Sequence, residues 1–205
     1  MNSESSNTHE QKTNVGKKLN LLLCCAGQAT KERIKCLLSN LKDLSNIINE
    51  FHIRVIGNNE SCSLFKDNSN LIEMIYTDDD EWAQWKQIGD PVLHIDLTKW
   101  ADILLVAPMD VETMGKVAIG ICDNLLTCTL RAWNLKKPVI FCPAISKTVR
   151  EQSITQKHLS TLRSWGYKEI SPAIYPDFTA TTCEYPMVEP TEINTIVISL
   201  IEEKS

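Results

Sequence analysis

The sequence predicts an α/β fold: a doubly wound parallel sheet with helices on both faces, in a single domain with three α/β/α layers. Three observations predict it. The strand candidates are continuous apolar runs, the mark of strands buried on both faces. Helix-periodic segments alternate with them along the chain. The 205 residues, 43% hydrophobic and 23% charged, suffice for one sizeable core but not for two domains and a linker.

Each element follows in order. Residues 1–18 are polar with no apolar stretch, so they read as a disordered tail and not a signal peptide, which leaves 19–205 as the domain. Residues 19–25 (LNLLLCC) form the first buried strand, closed by Ala26-Gly27. Ile34, Leu37, Leu38, Leu41, Leu44, Ile47, Ile48 and Phe51 recur at steps of three and four, predicting an amphipathic helix. Residues 52–56 and 71–76 read as strands. The run Asp78-Asp79-Asp80-Glu81 reads as a solvated helix start, placed at the positive end of a helix carrying Trp82 and Trp85. Residues 102–107 form a buried strand ending at Pro108, and 111–135 are helical with a break near Gly120. A strand at 138–142, a helix at 152–165 stopping at Gly166 and a short strand at 167–170 follow. Residues 171–190 carry four prolines and read as a loop, after which Thr191 is expected to cap a last helix.

Composition excludes several functions. No stretch approaches the roughly 20 apolar residues of a membrane span. A net charge of −5 without a basic stripe argues against nucleic acid. The eight cysteines show no paired metal-ligand spacing, so no metal is expected; in a cytoplasmic protein they are reduced thiols, with Cys24, Cys25, Cys128 and Cys142 acting as small buried hydrophobes. The dinucleotide glycine fingerprint, the P-loop, the serine nucleophile elbow and the zinc-protease helix are all absent.

Ligands of doubly wound sheets bind beyond the carboxyl ends of the strands. That points to residues 26–30, 57–60, 108–113 and 143–146. Gly27-Gln28-Ala29-Thr30 opens a helix, where backbone N–H groups can hold an anion, although a lone glycine is also an ordinary turn residue. His94 stands between apolar neighbours. Such a histidine is either a satisfied half-buried side chain or a base whose tautomer a neighbour fixes, and Asp90 and Asp96 are close in sequence.

Several stretches carry a resemblance: Asp80-Glu81-Trp82 with Trp85, the run from Gly89 through Leu97 that contains His94, Trp100-Ala101-Asp102, Val106-Ala107-Pro108-Met109, Thr113-Met114-Gly115-Lys116, and the run from Gly120 through Cys128 with Arg131-Ala132-Trp133. Together they resemble the phosphopantothenoylcysteine decarboxylases, a flavin-containing cysteine decarboxylase family, densely over residues 76–145. The resemblance implies a flavodoxin-like (Rossmann-like) domain, a homotrimer with FMN at the subunit interface, and decarboxylation of 4′-phosphopantothenoylcysteine to 4′-phosphopantetheine in coenzyme A biosynthesis. It also implies His94 as the catalytic histidine. Gly27, Gln28, Ala29, Asn58, Pro108, Met109, Asp110, Thr113 and Ala144 fall on the FMN site, and Ser146 and Met187 on the substrate side.

The sequence departs from the family pattern where substrate is held. The family's Pro-Ala-Met-Asn reads Pro143-Ala144-Ile145-Ser146, so a shorter hydroxyl replaces an amide. The family's cysteine with its glycine-rich flap reads Thr179-Ala180-Thr181-Thr182-Cys183-Glu184-Tyr185-Pro186-Met187; Cys183 takes the cysteine position only with a gap, and the flap glycines are gone. Cys24 replaces the first glycine of the phosphate turn. These changes raise an alternative: an impaired paralogue serving as a subunit of a mixed trimer or as a regulatory binding protein, for example of a protein phosphatase.

Overall fold

A computed structural model describes residues 15–27, 31–58, 65, 70–172 and 188–202. In chain order the elements are β1 (Val15–Ala26), α1 (Lys31–Ser45), β2 (Ile48–Ile56), β3 (Ile72–Tyr76), α2 (Asp78–Gln84), α3 (Leu93–Trp100), β4 (Ile103–Met109), α4 (Val111–Ile119), α5 (Leu125–Arg131), β5 (Val139–Pro143), α6 (Lys147–Glu151), α7 (Ser153–Ser164), β6 (Lys168–Glu169) and α8 (Pro190–Glu202). The strands form one parallel sheet in the order β3-β2-β1-β4-β5-β6. This is the doubly wound α/β sheet expected from the sequence. Its strand order reverses between β1 and β4, and such a reversal opens a crevice at the carboxyl ends of the two strands.

The apolar run in β1 sorts its side chains by pleat. Leu21, Leu23 and Cys25 face a core built with Ile34, Leu37 and Leu41 of α1 and Ile193 and Val197 of α8. Leu22, Cys24 and Ala26 face the opposite core, with Leu97 of α3, Met114 of α4, Leu130 of α5 and Leu159 of α7. Each fully buried leucine contributes about 1.5–3 kcal/mol relative to exposure, which is why an unbroken apolar run is stable only between two helical layers.

The structure corrects several element readings. β1 begins at Val15, so residues 15–18, read as tail, belong to the sheet; Lys18 pairs in register with Glu50, and a ladder needs backbone partners more than apolar side chains. Residues 1–14 lie outside the described residues. The first helix ends at Ser45, where Asn46 N donates to Asp43 O and Ile47 N to Leu44 O. Ile48 and Phe51 therefore belong to β2, whose inward positions continue the helical spacing by coincidence. β4 runs through a cis Ala107–Pro108 peptide to Met109. α4 stops at Gly120, at φ +81°, as the expected break requires. α8 starts at Pro190, a residue suited to the first helical position, so Thr191 lies inside the first turn and does not cap it. Residues 173–187, most of the proline-rich segment, lie outside the described residues.

Candidate active site at the strand ends

Gly27 follows β1 at φ +102°, and a Cβ built on it would lie 2.7 Å from Asp110 Cβ. Only glycine fits there, and the gap it leaves lets the β1 and β4 ends close on each other. Asp110 N donates to Ala26 O at 3.1 Å. Asp110 Oδ1 accepts from Thr113 N at 2.7 Å, which caps α4. Ala144 N donates to Met109 O at 2.9 Å, which draws the β5 end alongside. Gly27, Pro108, Met109, Asp110, Thr113 and Ala144 are thus gathered at the ends of three adjacent strands. Met109, Thr113 and Ala144 are buried. Asn58 stands exposed just past β2, the strand on the other side of β1.

Ser146 is buried, and its Oγ accepts from Val149 N at 3.2 Å, capping α6. The acceptor side of the hydroxyl thus serves the fold, and a hydroxyl can still donate its proton. Gln28, Ala29, Cys183 and Met187 lie outside the described residues.

His94 occupies the first turn of α3. Its Nδ1 is 2.6 Å from Glu81 Oε1, and its backbone N donates to Glu81 Oε2 at 3.0 Å. Both side chains are largely shielded, 23% and 14% exposed. The aspartates near in sequence do not serve His94. Asp90 accepts from Lys86 N and Gln87 N, bonds that lower its carboxyl below the usual range, and Asp96 pairs with Lys99.

Glu81 was missed as a partner because it lies in an acidic run read as solvated. That run is instead largely bound. Asp78 Oδ1 accepts from Leu125 N at 2.8 Å, at the start of α5. Asp80 Oδ2 accepts from Thr77 N and Thr77 Oγ1 at 2.7 and 2.9 Å. No spacing rule links Glu81 to His94; the only signal was that both stand in the family-like stretch.

The other end of α3 is held as well. Lys137 Nζ donates to Thr98 O, Lys99 O and Ala101 O at 3.0, 3.2 and 2.7 Å, placing a cation on the helix carbonyls.

A separate cavity of about 280 Å³ is lined by Val117, Ile121, Leu130, Trp133, Trp165 and Tyr167. α4 runs back from the β4 end, so this cavity sits at the opposite end of the sheet from Gly27 and Asp110. The thiols of Cys24 and Cys142 are fully buried, and burial pushes both up, away from the reactive thiolate form. Cys128, expected to be buried, is only partly so. Among the described residues, no helix is long and apolar enough to cross a membrane.

The chain is similar to several known proteins. A phosphopantothenoylcysteine decarboxylase of Mus musculus is 42% identical over 154 residues, 75% of this chain and 73% of the relative. One of Oryza sativa subsp. japonica is 49% identical over 104 residues, 51% of this chain and 46% of the relative. Among solved structures, a cysteine-to-serine mutant of PPC decarboxylase complexed with pantothenoylaminoethenethiol superposes with a TM-score of 0.75 at 32% identity, over 91% of this chain and 100% of that one. The FMN binding protein AtHal3 gives 0.71 at 31% identity, over 92% and 100%. The Flavoprotein family matches residues 8–203, nearly the whole sequence, and the chain belongs to that family.

Proposed function

We propose that this protein is an FMN-dependent decarboxylase that converts 4′-phosphopantothenoylcysteine to 4′-phosphopantetheine in coenzyme A biosynthesis. The observation that carries the reading is the close approach of Gly27 and Asp110 at the β1–β4 reversal of strand order, in a chain similar to decarboxylases of that name.

The residues present fit the flavin. The turn at Gly27 has no room for a Cβ, which leaves the backbone at the strand end open to close approach, and Pro108, Met109 and Ala144 supply apolar residues at the neighbouring strand ends. Gly27, with Gln28 and Ala29, would hold the phosphate, and Asn58 and residues 108–113 would line the remainder. When bound, FMN would supply reversible two-electron redox chemistry at the thiol-bearing carbon of the substrate. His94 takes up and returns the proton that this cycle moves. Ser146 and Met187 serve the substrate side, and Cys183 is the candidate thiol donor.

The proposal extends to assembly and place. The protein forms a homotrimer in the cytoplasm, with the sheet from Val15 onward and its helices acting as one domain. Trp82, Trp85 and Ile88 support an interface beside His94, because they stand 71%, 51% and 96% exposed along one short segment.

The test is carbon dioxide release from 4′-phosphopantothenoylcysteine by purified protein, with flavin absorbance and solution mass measured on the same sample. The expected result is a yellow trimer that is active alone. His94→Asn should keep the flavin and lose about 10²–10⁴ in turnover. A colourless and inactive protein overturns the proposal, and a fully active His94→Asn overturns the role of His94.

A further inference from the structure

We propose that Glu81 is the positioning residue for His94, setting which ring nitrogen exchanges the proton. This rests on the reading of His94 as the proton carrier.

The geometry is two-pronged. One carboxylate oxygen accepts from the His94 backbone N–H at 3.0 Å, and the other lies 2.6 Å from Nδ1. A carboxylate only accepts, so Nδ1 carries a proton toward Glu81 whether the ring is neutral or charged. Nε2 is then the nitrogen that gains and loses a proton. A neutral ring takes one proton from substrate at Nε2 and becomes imidazolium beside the Glu81 carboxylate; returning that proton restores the starting state. No other redox partner or leaving group is involved.

Among the carboxylates of α2, Glu81 is the one bonded to His94, and Asp79 is exposed. Asp78 is bound to Leu125 N and Asp80 to Thr77. Because the same carboxylate binds ring and backbone, ring orientation is tied to the first turn of α3. That helix is fixed at its far end by Lys137.

The discriminating variant is Glu81→Gln. Its amide has one oxygen and one NH2. The backbone N–H is an obligate donor and takes the oxygen, so the NH2 faces Nδ1, which must then accept. The ring proton moves to Nε2, the wrong nitrogen. In Glu81→Asp both oxygens remain, on a shorter stem, so the Nδ1–H form persists with looser alignment.

The experiment is nitrogen NMR of protein labelled at histidine, with the His94 ring signals assigned by their loss in His94→Asn, alongside steady-state kinetics on the holoenzyme. Wild type should show Nδ1 protonated. Glu81→Gln should show Nε2 protonated and a kcat lower by about 10²–10⁴-fold with KM little changed. Glu81→Asp should keep the wild-type tautomer and recover at least tenfold over Glu81→Gln. Should Glu81→Gln not fold, wild type and Glu81→Asp decide: unprotonated Nδ1 in wild type, or a shifted tautomer in Glu81→Asp, overturns the assignment. A Glu81→Gln that keeps the Nδ1–H form, or turns over like wild type, also overturns it. An inactive wild type that still shows the Nδ1–H form would sink the decarboxylase reading and not the tautomer, so the two failures are distinguishable.

Discussion

Replacing Gly27 with alanine tests how the crevice is closed. The new Cβ would sit 2.7 Å from Asp110 Cβ, well inside contact distance, on a backbone at φ +102°. The positive φ costs about 1–2 kcal/mol for a residue with a side chain. Overpacking against Asp110 adds about 1–3 kcal/mol. The sum is roughly 2–5 kcal/mol, or a fall in Tm of about 4–20 °C for a chain of this size. The two terms can be separated. Asp110→Gly removes the opposing Cβ and, as a change of helix cap to glycine, costs only a few tenths of a kcal/mol of capping. In the double variant the clash is gone and the φ cost remains, so the pair should be less destabilised than additivity requires by about 1–3 kcal/mol. Urea unfolding of the four proteins, with a shared m-value, measures this. A loss below about 0.5 kcal/mol for Gly27→Ala, or strict additivity, would refute the contact as the reason for glycine.

Two further outcomes follow from charges bound in the fold. Lys137→Met should cost about 2 kcal/mol, because three carbonyls at the end of α3 lose a charged donor, and thermal unfolding should show a Tm lower by about 4–8 °C. Glu169 is held by Arg150, Arg163 and Ser171. Burial alone would raise its carboxyl, but these partners outweigh burial and hold it below the usual glutamate range. A carboxylate lowered by folding stabilises the protein above its unfolded value and loses that contribution as pH falls through the lowered folded value. Wild type should therefore lose stability more steeply than Glu169→Gln as pH falls below about 5, and Glu169→Gln should lower Tm at neutral pH. Parallel pH–Tm curves would show that the cluster does not work this way.

Much of the fold was legible because two-sided burial writes itself into consecutive residues. Leu21 to Cys25, Ile103 to Ala107 and Val139 to Cys142 have no solvent face, so apolar runs mark them. The end of α1 was not legible. Ile48 and Phe51 kept the helical spacing, and only the turn at Asn46 and Ile47, paired back to Asp43 and Leu44, separates helix from strand. Placing the candidate site at strand ends followed from topology, since Gly27, Asp110 and Ala144 each follow or end a strand. The partners within the site were hidden. Glu81 and His94 are thirteen residues apart and meet because α2 packs on α3, and Ser146 doubles as a helix cap; neither contact leaves a periodic trace.

Cys24 and Cys25 are neighbours in sequence, yet the pleat sends one thiol into each helical layer. Detaching α1 and α8 uncovers Cys25 and leaves Cys24 sealed; loss of the α3, α4, α5 and α7 layer does the reverse. One dipeptide therefore carries a built-in clock for partial unfolding. The order in which the two thiols become alkylated under mild denaturant records which side of the sheet opens first, with no engineered cysteine needed.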